Sequence, residues 1–127
     1  MKKIMFVTKH KIFAQSLANV MKTRPELCFE PYLLSDIRQA ALDAEVLRAD
    51  VVILDISDMT DRSREEVMEL CENLRKTIPN CRLILLLPHD DGGCRQIAID
   101  AAQNAVVDDF VYHNETMDYF FAKIEAV

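Results

Sequence analysis

One aspartate, three histidines and a lysine-rich turn are the residues of this chain whose types and positions could do chemistry. Asp55 closes the apolar run Val51-Val52-Ile53-Leu54. A strand-ending aspartate can simply cap the turn that follows it. His10, His89 and His113 each fall just beyond a different apolar segment, as does Thr8-Lys9-His10-Lys11, and Asp58 and Asp90 follow close behind. Imidazole and carboxylate together are transition-metal ligands. No H-x-x-x-H or paired-cysteine spacing fixes a geometry for them, so His10, His89 and His113 stand as candidates without an assigned metal, and a pH-sensing role for His113 is an equal reading.

Other chemistries are poorly served. Gly92-Gly93 lacks the Lys-Ser/Thr that completes a P-loop and does not follow the first strand. Thr8-Lys9-His10-Lys11 contains no glycine to cradle a flavin phosphate, and no cysteine follows the first strand to act as a phosphocysteine carrier. No Ser-His-Asp or Cys-His order stands at a strand-to-helix elbow, so no enzyme is expected.

The elements that must position these residues alternate in type. Ile4 to Val7, Val51 to Leu54 and Leu83 to Leu87 are continuous apolar runs, which suit strands buried on both faces of a parallel sheet. Phe29 to Leu34, and a segment starting near Asp109, complete a set of five. Between them the spacing predicts helices. The first carries Ile12, Phe13, Leu17, Val20 and Met21 and is closed by Pro25; the second follows Ser35 or Asp36 as cap, with Ile37, Ala41, Ala44 and Leu47. Ser63 and Glu66 form a capping-box pattern before Val67, Leu70, Cys71, Leu74 and Ile78. Gly92-Gly93 opens a helix with Cys94, Ile97, Ala98 and Ala101 on one face and Asn104 as its left-handed terminator. A last helix follows Asn114 with Met117, Phe120, Phe121 and Ile124. Five βα units predict an α/β fold: a doubly wound, flavodoxin-like (βα)5 with a five-stranded parallel sheet in order 2-1-3-4-5. One domain is expected over residues 1–127.

Composition narrows the setting. A formal charge of −6 lacks the basic stripe that a nucleic-acid surface needs. Lys2-Lys3 is followed only by Ile4 to Val7 before Lys9, too short for an export signal. Leu83 to Leu87 is too short to cross a bilayer. A cytoplasmic chain with no membrane contact is expected, with Cys28, Cys71, Cys81 and Cys94 as reduced thiols and Cys71 in the core.

Val51 to Ile56 resembles the third strand of response-regulator receiver (CheY-like) domains, which ends in a phosphoaccepting aspartate, and Asp108-Asp109-Phe110-Val111 resembles the approach to their fifth strand. The resemblance makes Asp55 the phosphoacceptor-equivalent and Phe110 the switch aromatic. It also implies an acidic pair that helps hold Mg²⁺, a switch Ser/Thr and a lysine. Those positions here read Thr8 and Lys9, Pro88, and His113. An atypical, pseudo-receiver variant is therefore expected. It would act in signal transduction through protein contacts, with Mg-dependent phosphorylation impaired or absent and no cofactor. Lys9 would pair with Asp55 in the vacated cation position. The resemblance further implies a protein partner or output domain, and a dimer or output face on the fourth helix, fifth strand and fifth helix, to which Phe110, Tyr112 and Tyr119 would contribute. Two alternatives stand beside it: a conventional two-component receiver phosphorylated on Asp55 by a histidine kinase and using Mg²⁺, and a metal- or small-ligand-binding domain on the same fold.

Overall fold

Alternation of apolar runs with helical periods gives a parallel sheet flanked by helices. The structure is a computed structural model and describes residues 1–59, 64–89 and 92–127. Its strands are β1 (Lys2–Val7), β2 (Phe29–Leu34), β3 (Val51–Asp55), β4 (Arg82–Leu87) and β5 (Asp109–Tyr112). The α-helices are α1 (Lys11–Thr23), α2 (Ala40–Leu47), α3 (Arg64–Thr77), α4 (Gly92–Gln103) and α5 (Met117–Ala126). All sheet pairings are parallel, in the order β2-β1-β3-β4-β5. The expected α/β architecture and strand order are those of the chain.

Successive side chains of a strand point to opposite faces, and the two cores follow that period. Met5, Val7, Val52, Leu54, Leu83, Leu85 and Leu87 pack with Ala44, Val67, Cys71, Leu74, Ala98 and Ala101 from α2, α3 and α4. Ile4, Phe6, Val51, Ile53, Ile84 and Leu86 face the other way, against Leu17, Met21, Phe120, Phe121 and Ile124 from α1 and α5. The central strands are buried on both sides, hence their unbroken apolar runs. Pro31, which cannot donate to a ladder, sits on the edge strand β2.

Register brings four loops together. Val7 lies beside Leu54, Asp55 beside Leu86, and Leu87 beside Tyr112. Thr8, Asp55, Pro88 and His113 are therefore neighbours at the carboxyl edge. At the opposite edge Arg75 fastens β4 to the approach of β5. Its guanidinium donates to the carbonyls of Val106 (3.1 Å) and Cys81 (3.0 Å) and to Asp108 (2.8 Å). Asp108 also accepts the Leu83 N–H. Burial pushes its carboxyl up, but Arg75 and that backbone bond outweigh it and hold Asp108 below the usual range.

Several local expectations need correction. Ile12 is 86% exposed. The buried stripe of α1 is Ala14, Leu17, Ala18 and Met21, and Ile12 sits about 200° around the helix from Ala14. The left-handed residue after α4 is Ala105 (φ 56), not Asn104. Asn104 stays in the helical turn, its backbone and side-chain nitrogens both donating to the Asp100 carbonyl. Helix α5 follows Asn114 as expected, and Thr116 caps it by accepting from the Tyr119 N–H. Asp36 caps a short 3-10 turn, Ile37–Gln39, that precedes α2. Ser63 lies outside the described residues. All four cysteines are free thiols. Among the described residues no helix is long and apolar enough to cross a membrane.

Candidate functional site

The carboxyl edge of the sheet collects Thr8 from β1, Asp55 from β3, Pro88 from β4 and His113 from β5. Asp55 is 1% exposed, so its charge must be met by protein groups. Thr8 Oγ1 donates to Asp55 Oδ2 at 2.7 Å and itself accepts the His10 N–H at 3.0 Å. The Ser57 N–H donates to Oδ1 at 3.0 Å, and the Ser57 hydroxyl donates to the same oxygen. That is the local turn that a strand-ending aspartate forms with the residue two positions on. His113 Nε2 lies 3.2 Å from Oδ1. A carboxylate only accepts, so Nε2 carries the hydrogen and Nδ1 is left as the other ring nitrogen. His10 Nε2 stands 3.4 Å from Ser57 Oγ and 4.0 Å from Asp55 Oδ2.

These donors decide the ionisation of Asp55. Burial is the largest single influence and opposes the charge. Hydrogen bonds from His113, Ser57 and Thr8, with the charge of His113, outweigh it and hold the carboxyl below its usual value of 3.8. The two imidazoles meet edge to face, ring centres 5.6 Å apart, and His113 also packs on Phe13 at 4.8 Å.

The structure separates the expected residues. Asp55, Thr8 and His113 are in direct contact. The ion pairs of Asp55 among the described residues are with His10 and His113 and do not include Lys9, which is exposed while Thr8 turns inward to the carboxylate. The charge of Lys9 instead adds to that of Arg38 in lowering the Asp36 carboxyl. Pro88 and the exposed His89 line a cleft of about 940 Å³ over the site, with Lys9, His10, Lys11, Ile12, Phe13, Ser57 and His113. Of the metal candidates, His10 and His113 approach Asp55, while His89 stays at the rim. Among the described residues no group of three His, Cys, Asp or Glu is arranged to hold a metal ion. The side chain of Asp58 and all of Asp90 lie outside the described residues. Phe110 is half-buried against the α3–α4 side of the core and meets Tyr112 edge to face at 6.1 Å.

Ser57 was not expected as a partner of Asp55; its position two residues beyond the aspartate is the signal that points to it.

A Mg²⁺ ion asks for several oxygen ligands in near-octahedral array. The described groups around Asp55 are donors instead: two hydroxyls, a backbone N–H and imidazoles. Three of them already occupy Oδ1. The described residues around Asp55 do not supply that array.

No protein-family model matches the sequence, and no curated protein sequence does. Solved structures do match. A response regulator from Thermotoga maritima superposes with a TM-score of 0.77 at 16% identity, covering 99% of this chain and 96% of that one. A two-component response regulator from Clostridium difficile gives 0.77 at 18% identity, over 99% and 94% of the chains. A response regulator from Burkholderia pseudomallei, solved with a phosphorylated aspartic acid, a calcium ion and citrate, gives 0.72 at 14% identity, over 99% and 72%. The chain therefore has the CheY-like fold of response-regulator receiver domains.

Proposed function

We propose that this chain is a pseudo-receiver: a signalling module that acts through protein contacts and whose Asp55 is not phosphorylated with the help of Mg²⁺. One observation carries this reading: the Asp55 carboxylate is held by Thr8, Ser57 and His113. Phosphoryl transfer to a carboxylate needs a cation to neutralise the incoming oxygens, and here a hydroxyl and an imidazole stand at the aspartate. The second group that would steady a phosphoryl oxygen is replaced by Pro88, which has neither hydroxyl nor N–H.

The output would be a contact made by α4, β5 and α5, in a homodimer or with a partner or output domain. Tyr119 is exposed, and the Lys123 ammonium pairs with Asp109 at 2.9 Å while lying 5.3 Å from the Tyr119 ring centre. Amphipathic aromatics beside a fixed charge suit a protein interface. The net charge of −6 speaks against direct nucleic-acid binding. A cytoplasmic location and a non-enzymatic role belong to the same reading.

Intact-mass measurement after incubation with acetyl phosphate and Mg²⁺ tests it. The expected spectrum is unchanged. Gain of one phosphoryl group, lost in Asp55→Asn, would restore a conventional receiver.

A further inference from the structure

The sheet is open at β2, beside a groove. The Lys2 N–H donates to the Cys28 carbonyl and the Thr8 N–H to the Leu34 carbonyl. Strand alternation then turns the backbone of Glu30, Tyr32 and Leu34 toward β1, and that of Phe29, Pro31 and Leu33 away from it. β2 is the last strand on that side, so no described strand meets those outward groups. Pro31 stands at an outward position, where its missing N–H costs β1 no ladder bond. Between this edge and α1 lies a groove of about 630 Å³, whose lining includes Ile12, Gln15, Ser16, Asn19, Leu33 and Leu34. Ile12 is 86% exposed and Leu33 44% exposed. The polar side chains of the helical wall are satisfied within α1: Gln15 Nε2 donates to Asn19 Oδ1 at 3.0 Å, and Ser16 Oγ to the Ile12 carbonyl at 2.8 Å. What the groove offers a ligand is therefore aliphatic surface and the outward backbone of β2.

Charge and length narrow the occupant. Helix α1 carries Lys11 and Lys22 and no acidic residue along its length, in a chain whose net charge is −6. Both lysines are exposed. With Gln15 and Asn19 they follow one row of i, i+4 and i+3 spacing, so a lysine stands toward each end of the helical wall. From Lys11 to Lys22 the helix runs about 16 Å, the length of about five residues of extended chain. A second copy of this chain fits the edge poorly. Pairing β2 with β2 about a two-fold axis puts Pro31 in the middle of the new ladder, where it cannot donate, and sets two lysine-bearing walls side by side.

We infer that the groove between α1 and β2 takes a short extended segment of a partner protein, aliphatic at its centre and acidic at both ends, added to the edge of β2 as a further strand. Its backbone pairs with the Leu33 N–H and with the outward carbonyls of Pro31 and Leu33. Alternation puts its central side chain and its two acids on one face, the first on Ile12 and Leu33, the acids toward Lys11 and Lys22. The contact lies at the opposite edge of the sheet from β5. It stands whether or not Asp55 accepts a phosphoryl group.

The test uses the full chain and the peptide acetyl-Glu-Val-Leu-Val-Glu-amide, followed by ¹H–¹⁵N correlation spectra and amide hydrogen exchange. Saturable shifts are expected at residues 12, 15, 16, 19 and 33–35. The Leu33 amide should exchange fast in the free protein and at least about tenfold more slowly at saturation. Ile12→Ser, an exposed change that leaves the core untouched, should weaken binding about three- to tenfold. The double variant Lys11→Glu/Lys22→Glu should bind this peptide at least about tenfold more weakly and gain affinity for acetyl-Lys-Val-Leu-Val-Lys-amide. Shifts that stay linear to about 10 mM, that centre on residues 109–112 and 117–123, or that leave the Leu33 amide exchanging as before would overturn the site. Equal binding of the Glu-ended and Lys-ended peptides by the wild type would overturn the acidic assignment. A Leu33 amide already protected in a self-associating free chain would give the edge to a second copy and overturn the partner segment.

Discussion

Neutralising Asp55 tests its surroundings through the sign of the effect. Asp55→Asn keeps the shape and removes the charge. In wild type, Oδ2 accepts from Thr8 at 2.7 Å, and Oδ1 accepts from the Ser57 N–H at 3.0 Å and from His113 at 3.2 Å. The amide keeps one acceptor oxygen but presents an NH₂ to whichever side held the other, so at least one donor faces a donor. Hydrogen bonds to a charged group are worth about 1.5–3 kcal/mol each, and part of that survives in the amide. The expected net loss is about 2–3 kcal/mol at neutral pH, or roughly 6–10 °C in Tm for a domain of this size. The pH dependence follows from the lowered pKa of Asp55. Its contribution is complete above the unfolded-state value and is lost as pH falls through the folded one. The gap between wild type and variant should therefore narrow below about pH 4. Urea denaturation followed by circular dichroism, at neutral and acid pH, measures both. In a cluster of several carboxylates, removing one charge relieves repulsion and stabilises the fold. An Asp55→Asn variant as stable as wild type, or more so, would refute the donor cage.

Three further outcomes follow from the same geometry. Thr8→Val removes the hydroxyl that joins Asp55 to the His10 N–H and should cost about 1–2 kcal/mol in chemical denaturation. Arg75→Met strips two carbonyls and Asp108 of a shared donor at the opposite edge and should cost about 2–4 kcal/mol in chemical denaturation. Thiol labelling in the native state should modify the exposed Cys28 first. Burial pushes Cys71 up to about 12 and Cys81 up to about 11, so both should react only after unfolding.

Strand identity was legible wherever a strand is buried on both faces, because the core then leaves no room for a polar residue. Val51 to Leu54 and Leu83 to Leu87 are of this kind. The ends of the helices were less legible. Asn104, Ala105 and the Asn114–Thr116 segment differ by one or two residues in which backbone turns, and propensity does not resolve that. Ile12 shows that an apolar residue in helical register need not face the core. At the site, the order of elements puts Asp55, Thr8 and His113 on one edge, and the likeness to receiver domains singles them out. What the order could not provide was direction. Whether Lys9 or Thr8 turns inward depends on strand alternation at the last residue of β1. Ser57 reaches the carboxylate through a turn whose geometry depends on the aspartate it serves.

Asp55 is held by Thr8, Ser57 and His113, where a cation would sit in a conventional receiver. A crystal structure grown in Mg²⁺, with Mn²⁺ exchanged in for its anomalous signal, tests that most directly. His113 Nε2 is expected within hydrogen-bond distance of Asp55, with no anomalous peak at the carboxylate. A peak coordinated by Asp55, with His113 swung away, would contradict it.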